Sequence, residues 1–267
     1  MTDFIDRVVM VDGRDIRVQL TSGSQQLVVL TSGCSLGAEL WRKVIHRIPG
    51  AVLTFDRPGL GGTSWRGQLP TLANEVDALA DLIEQFGEGR PAIVVAHSMA
   101  GFHGEALARV RPDLVVGLIM VDASVEPAMT HPKRDLSPLA RLSTARVLAP
   151  FWAILGGEWW ARHHGPEGRA AAAAEWLAYR PQAADLVALR DDHAWPGCPV
   201  TVITAQRRGE MSRWVTRQAD YAASLGGTQL VARSGHNVML DRPDVILDTV
   251  ADMRRVLGNN EPPHALR

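Results

Sequence analysis

A chain of 267 residues, 46% hydrophobic and 21% charged, has the composition of an ordinary globular protein, long enough for one sizeable core with an insertion and too short to favour a second independent domain. Its 28 basic and 29 acidic residues leave a net charge of -1, which offers no overall field for nucleic acid or an anionic membrane surface. Met1 to Arg7 lacks the pattern of a secretion signal, no apolar run reaches the roughly 18 residues that cross a bilayer, and Cys34 and Cys198 form neither a disulfide framework nor a CxxC pair. The expectation is a cytoplasmic protein with reduced thiols.

The first predicted element is a hairpin. Val8 to Val11 and Ile16 to Leu20 flank Asp12-Gly13, a pair that tolerates the positive φ angles of a tight two-residue turn. Short apolar runs then alternate with helical periodicity: Leu27 to Leu30, Ala51 to Phe55, Ala92 to Ala96, Val115 to Val121, Val200 to Thr204 and Thr228 to Val231 read as strands. Such alternation implies right-handed crossovers and a mostly parallel central sheet with helices on both faces, an α/β fold whose functional residues lie at the carboxyl ends of the strands.

One stretch breaks the alternation. Residues 125–196 hold no strand-like run but carry helical patterns and five of the eight tryptophans, Trp152, Trp159, Trp160, Trp176 and Trp195. This predicts a helical cap inserted in a core formed by residues 1–124 and 197–257, with Trp152 and Trp176 as candidate substrate contacts. The competing reading is that the tryptophans glue the cap to the core. The polar tail 258–267 predicts disorder.

The chemistry-bearing residues follow the strands. After Ala92 to Ala96 the chain runs through His97-Ser98-Met99-Ala100-Gly101 directly into helical periodicity, a strand, sharp turn and helix that would expose the Ser98 hydroxyl at the tip of the sheet. A serine there also suits a helix N-cap. The segment resembles the nucleophile elbow G-x-S-x-G of the α/β-hydrolase superfamily, with alanine replacing both flanking glycines. Thr31-Ser32-Gly33-Cys34 resembles that family's His-Gly-x oxyanion loop, with Ser32 where histidine is common. Asp56-Arg57-Pro58-Gly59-Leu60-Gly61-Gly62-Thr63-Ser64 resembles its D-R-x-G-x-G-x-S loop, which makes Asp56 structural. Ser234-Gly235-His236-Asn237 resembles its terminal G-H loop.

The resemblance implies Ser98 as nucleophile, His236 as general base, and an oxyanion hole from the backbone N-H groups of Cys34 and Met99. His97, in strand geometry beside the nucleophile, is expected to point away from it. His163, His164 and His193 are expected to be solvated, and no metal or cofactor is assigned. The acid stays open among three residues. No aspartate lies in Thr204 to Glu210, where the commonest members carry it, which leaves Glu210 there. Asp122 ends the strand after the nucleophile helix, 24 residues beyond Ser98, a placement similar to haloalkane dehalogenases and some lactonases. Glu126 is the third candidate.

The implied function is a serine hydrolase acting on a hydrophobic carboxylic ester or lactone, with no nucleic-acid or membrane partner and homodimerisation admitted. A cofactor-free lyase or oxygenase on the same scaffold, and a non-catalytic ligand-binding member, are the alternatives.

Overall fold

The computed structural model describes residues 4–11, 13–125, 137–155, 165–207 and 213–260. Eight strands form one sheet: β1 (Phe4–Val11), β2 (Arg14–Thr21), β3 (Val28–Thr31), β4 (Val52–Phe55), β5 (Ala92–His97), β6 (Val115–Val121), β7 (Val200–Ala205) and β8 (Thr228–Ala232), in the order β1-β2-β4-β3-β5-β6-β7-β8. β1 and β2 pair antiparallel with Val11 opposite Arg14, and Gly13, just before β2, takes φ 68°. β2 meets β4 antiparallel, and every later pairing is parallel.

The central strands are buried on both faces, which is why they read as unbroken apolar runs. Val28, Leu30, Ile93 and Val95 face one core; Val29, Val94 and Ala96 face the other. The second face carries helices α1 (Leu72–Phe86), α2 (Ala100–Val110) and α5 (Arg213–Ser224), packed through Leu79, Leu82, Phe102, Leu107 and Tyr221. The first face is covered by a 3-10 turn, Ala38–Trp41, a single turn α6 (Val238–Asp241) and helix α7 (Pro243–Asn260). Helix α7 runs through Gly258 to Asn260, so the predicted disordered tail begins too early there. Apolar Ile246, Val250 and Met253 hold the helix to the sheet, and its last turn needs only hydrogen bonds reaching back along that anchored stem. Residues 261–267 lie outside the described residues.

Between β6 and β7 the described insertion is helical: α3 (Pro138–Leu155) and the 27-residue α4 (Pro166–Asp192). Ala171 to Ala174 are buried and allow close packing against Leu60 and Ala145. Polar groups fasten α4 to the core at three heights. Glu175 meets Arg57, Gln182 Oε1 accepts from His103 Nε2 at 2.7 Å, and Arg190 forks onto buried Glu105, which also accepts from the Tyr221 hydroxyl. No helix among the described residues is long and apolar enough to cross a membrane.

Candidate active site

β5 delivers Ser98 at its carboxyl end, and α2 begins two residues later. Ser98 adopts φ 53°, left-handed backbone that an ordinary side chain avoids. The turn is held by Ser98 N-H to the Val121 carbonyl at 3.1 Å, and by the Ser98 carbonyl, which accepts from Gly101 and Ser124 at 2.9 and 3.0 Å. Those bonds make the bend part of the sheet rather than a loose loop.

Asp122 follows the neighbouring strand, also left-handed at φ 43°, with its N-H on the Ile203 carbonyl at 2.7 Å. Its Oδ1 accepts from Ala205 N-H at 3.0 Å and from the Trp214 indole N-H at 2.8 Å. Its Oδ2 faces His236 Nδ1 at 2.7 Å, and His236 Nε2 faces Ser98 Oγ at 3.0 Å. A carboxylate accepts only, so Nδ1 carries the proton and Nε2 presents a lone pair to the serine hydroxyl. Ser98, His236 and Asp122 thus stand in hydrogen-bonding sequence. Glu126 and Glu210 lie outside the described residues.

The loop after β3 lies against Ser98. A Cβ on Gly33 would fall 2.7 Å from Ser98 Cβ and 2.9 Å from His97 Nδ1, so only glycine lets the backbone pass. Among the described residues, neither the Cys34 nor the Met99 N-H has a hydrogen-bond acceptor. Burial, reinforced by the charge of Glu175, pushes the Cys34 thiol up to about 12, so the sulfur stays protonated. The side chain of Ser32 donates to the Gly37 carbonyl at 2.9 Å and accepts from Trp41 Nε1 at 3.0 Å. Asp56 is fully buried and braces the next loop, accepting from Ala38 and Gly62 N-H groups and from Arg17.

His97 packs against Gly33 and His236. Its ring is buried with its centre 4.7 Å from that of His236; its Nδ1 accepts from Gly33 N-H at 3.3 Å, so Nε2 is the protonated nitrogen and donates to the His236 carbonyl at 3.1 Å. Burial, then the charge of His236, lowers it to about 3, which keeps the ring neutral and this tautomer fixed. The side chain ties the loop of Gly33 to the loop of His236. His193 is exposed as expected, whereas His163 and His164 lie outside the described residues.

The tryptophans divide. Trp195 is partly buried under the Arg109 guanidinium, 5.4 Å from its ring centre, and glues the insertion to the core. Trp176 is 57% exposed on α4. The Trp152 side chain, Trp159 and Trp160 lie outside the described residues. No group of three or more metal-ligating side chains gathers among the described residues.

Sequence reasoning missed Trp214, and it could not have found it. The residue opens an amphipathic helix, and nothing nearby marks its indole for a carboxylate 92 positions earlier.

Comparison with known proteins agrees with this architecture. The chain is 27% identical over 253 residues to the esterase Rv0045c of Mycobacterium tuberculosis, covering 85% of this chain and 82% of that protein. It is 34% identical over 113 residues to the lipase LipV of the same organism, 42% of each chain. Among solved structures, the epoxide hydrolase CorEH superposes with a TM-score of 0.67 at 17% identity, covering 96% of this chain and all of that one, a likeness of fold. The model of the alpha/beta hydrolase family matches residues 28–249, a span that runs from the strand before the Gly33 loop past Ser98, Asp122 and His236, and by that match the chain belongs to the alpha/beta hydrolase family.

Proposed function

We propose that this chain hydrolyses carboxylic esters, lactones included, through an acyl-enzyme on Ser98. The observation that carries this reading is the unbroken hydrogen-bond sequence from Asp122 through His236 to Ser98 Oγ beside two unengaged N-H donors. His236 Nε2 takes the serine proton as Oγ attacks the ester carbonyl. The carbonyl oxygen, now an anion, lies toward the Cys34 and Met99 N-H groups, and each such donor typically contributes on the order of 3 kcal/mol to the transition state. The imidazolium, stabilised by the Asp122 carboxylate, returns its proton to the departing alkoxide. Water, deprotonated by the same nitrogen, then attacks the acyl-serine carbonyl and releases the acid with Ser98 restored.

The naming of two relatives as an esterase and a lipase supports ester over amide substrates. At the elbow a hydroxyl rather than a carboxylate stands in this chain, which favours acyl transfer over epoxide opening. Trp152 and Trp176, on α3 and α4, are the proposed contacts for a hydrophobic substrate. The deciding experiment treats the protein with a fluorophosphonate and maps the adduct by mass spectrometry while following p-nitrophenyl ester hydrolysis. A Ser98 adduct with matching loss of turnover is expected. Turnover that survives complete modification of Ser98, or an unreactive Ser98 in a protein that turns over esters, would remove the acyl-enzyme.

A further inference from the structure

The loop that would carry the oxyanion donor is not self-supporting. Ser35 sits at φ 62°, a left-handed conformation unfavourable to serine, and helix α4 of the insertion holds it from above. Glu175 Oε2 accepts the Ser35 N-H at 2.6 Å, and the Ala172 carbonyl accepts the Ser35 hydroxyl at 3.2 Å. Arg57 grips the other side of the same loop. Its Nη1 donates to the Ser32 carbonyl and its Nη2 to the Gly33 carbonyl at 2.6 Å, while its Nε and Nη2 fork onto Glu175 at 2.7 and 3.0 Å. One carboxylate, 3% exposed, therefore braces the peptide units on both sides of Cys34, directly and through Arg57. The other fastenings of α4, Gln182 to His103 and Arg190 to Glu105, touch α2 and not this loop.

We propose that Glu175 is a positioning residue for the reaction: through Ser35 and Arg57 it aims the Cys34 N-H at the tetrahedral oxygen, so that the insertion and the oxyanion hole form one mechanical unit. The proposal rests on the hydrolase reading. The plainer role for the same atoms is attachment, an ion pair that fixes the insertion to the core. The two differ in what they affect. Attachment governs the melting temperature, whereas aiming a donor at an oxygen that becomes charged only in the transition state governs kcat at nearly constant KM.

The test is Glu175→Gln, which keeps the shape and one acceptor but loses the charge that orders Arg57. Its kcat should fall about tenfold or more, less than the 10²–10³ of a deleted oxyanion donor because the N-H is misdirected rather than removed. KM should stay within about twofold, and amide hydrogen exchange in the segment 32–36 should accelerate. Gln182→Ala cuts a different fastening of the same helix and should lower the melting temperature while leaving kcat and that exchange alone. Wild-type kcat and exchange in Glu175→Gln would overturn the proposal, as would Gln182→Ala reproducing its effects, since docking in general would then be the cause. If Glu175→Gln does not fold, the double variant Arg57→Met with Glu175→Leu removes both charges together, a replacement buried pairs commonly tolerate, and is read the same way. Faster exchange at 32–36 in a protein whose wild type neither hydrolyses esters nor reacts at Ser98 would count against the hydrolase reading and for the hold on the loop.

Discussion

Asp122 is shared by two rings from different elements: the Trp214 indole donates to Oδ1 at 2.8 Å while His236 Nδ1 meets Oδ2 at 2.7 Å. The carboxylate is thus oriented from the side away from His236. Trp214→Phe keeps the ring and deletes the donor, leaving Oδ1 with the Ala205 N-H alone. A hydrogen bond to a charged group is worth about 1.5–3 kcal/mol, so kcat should fall about tenfold with KM nearly unchanged. Asp122→Asn should fall much further, by roughly 10³–10⁴. Steady-state kinetics on one chromogenic ester compares the two, and an unimpaired Trp214→Phe would show that Ala205 suffices.

Ser98→Ala should lose ester turnover and fluorophosphonate labelling together. Its Oγ makes one described hydrogen bond, to His236, and the bend is held by backbone groups that alanine retains. The thermal melt followed by circular dichroism should therefore move little; substantial residual hydrolysis would transfer the nucleophile elsewhere.

His103 makes the fold sensitive to acid. Burial, followed by the charge of Arg57, lowers it to about 3, against a value near 6.5 in the unfolded chain. Between those limits the unfolded chain binds a proton that the folded one refuses, so stability present above about 6.5 is lost as pH falls. His97, lowered to about 3 by burial and then His236, acts in the same direction. His103→Gln cannot be charged, and its terminal amide reaches the place of Nε2 to donate to Gln182, so its melting temperature should decline less than that of the wild type between pH 7 and pH 5. Parallel declines would refute the assignment.

Glu75 works in the opposite direction. Burial, partly offset by Arg57 at 3.9 Å, raises it to about 7 from 4.5. Across that window the folded chain keeps a proton that the unfolded chain has lost, so stability falls as pH rises from about 4.5 to 7. Glu75→Gln should melt above the wild type at pH 8, with the gap closing toward pH 4.5. A gap independent of pH would mean the carboxyl ionises freely where it stands.

How much of this was legible in the sequence follows from the range of each interaction. The central strands were readable because burial on both faces writes apolar runs into neighbouring residues, and the hairpin because Asp12-Gly13 marks its own turn. The positions of Ser98, Asp122 and His236 past strand ends were readable from chain order, whereas their expected roles came from the resemblance and the acid stayed open among Asp122, Glu126 and Glu210. The supports were not. Trp214 to Asp122, Glu175 to Ser35 and His97 to the His236 carbonyl span 92, 140 and 139 positions, and each depends on how layers stack rather than on any local pattern. The end of α7 was misplaced for a related reason: Gly258 and Asn259 are weak helix formers, yet they continue a helix already anchored by packing.

The left-handed bends at Ser98 and Asp122, φ 53° and 43°, act as a filter on residue type that precedes any question of reactivity. Threonine carries a hydroxyl of similar nucleophilicity, but its branched Cβ is poorly tolerated in this conformation, so the bend that lifts the alcohol clear of the sheet also confines it to a primary one. At position 122 the filter admits aspartate and asparagine readily and glutamate much less. The amide replacement of Asp122 is therefore conformationally silent, and whatever it costs the protein is a charge and not a shape.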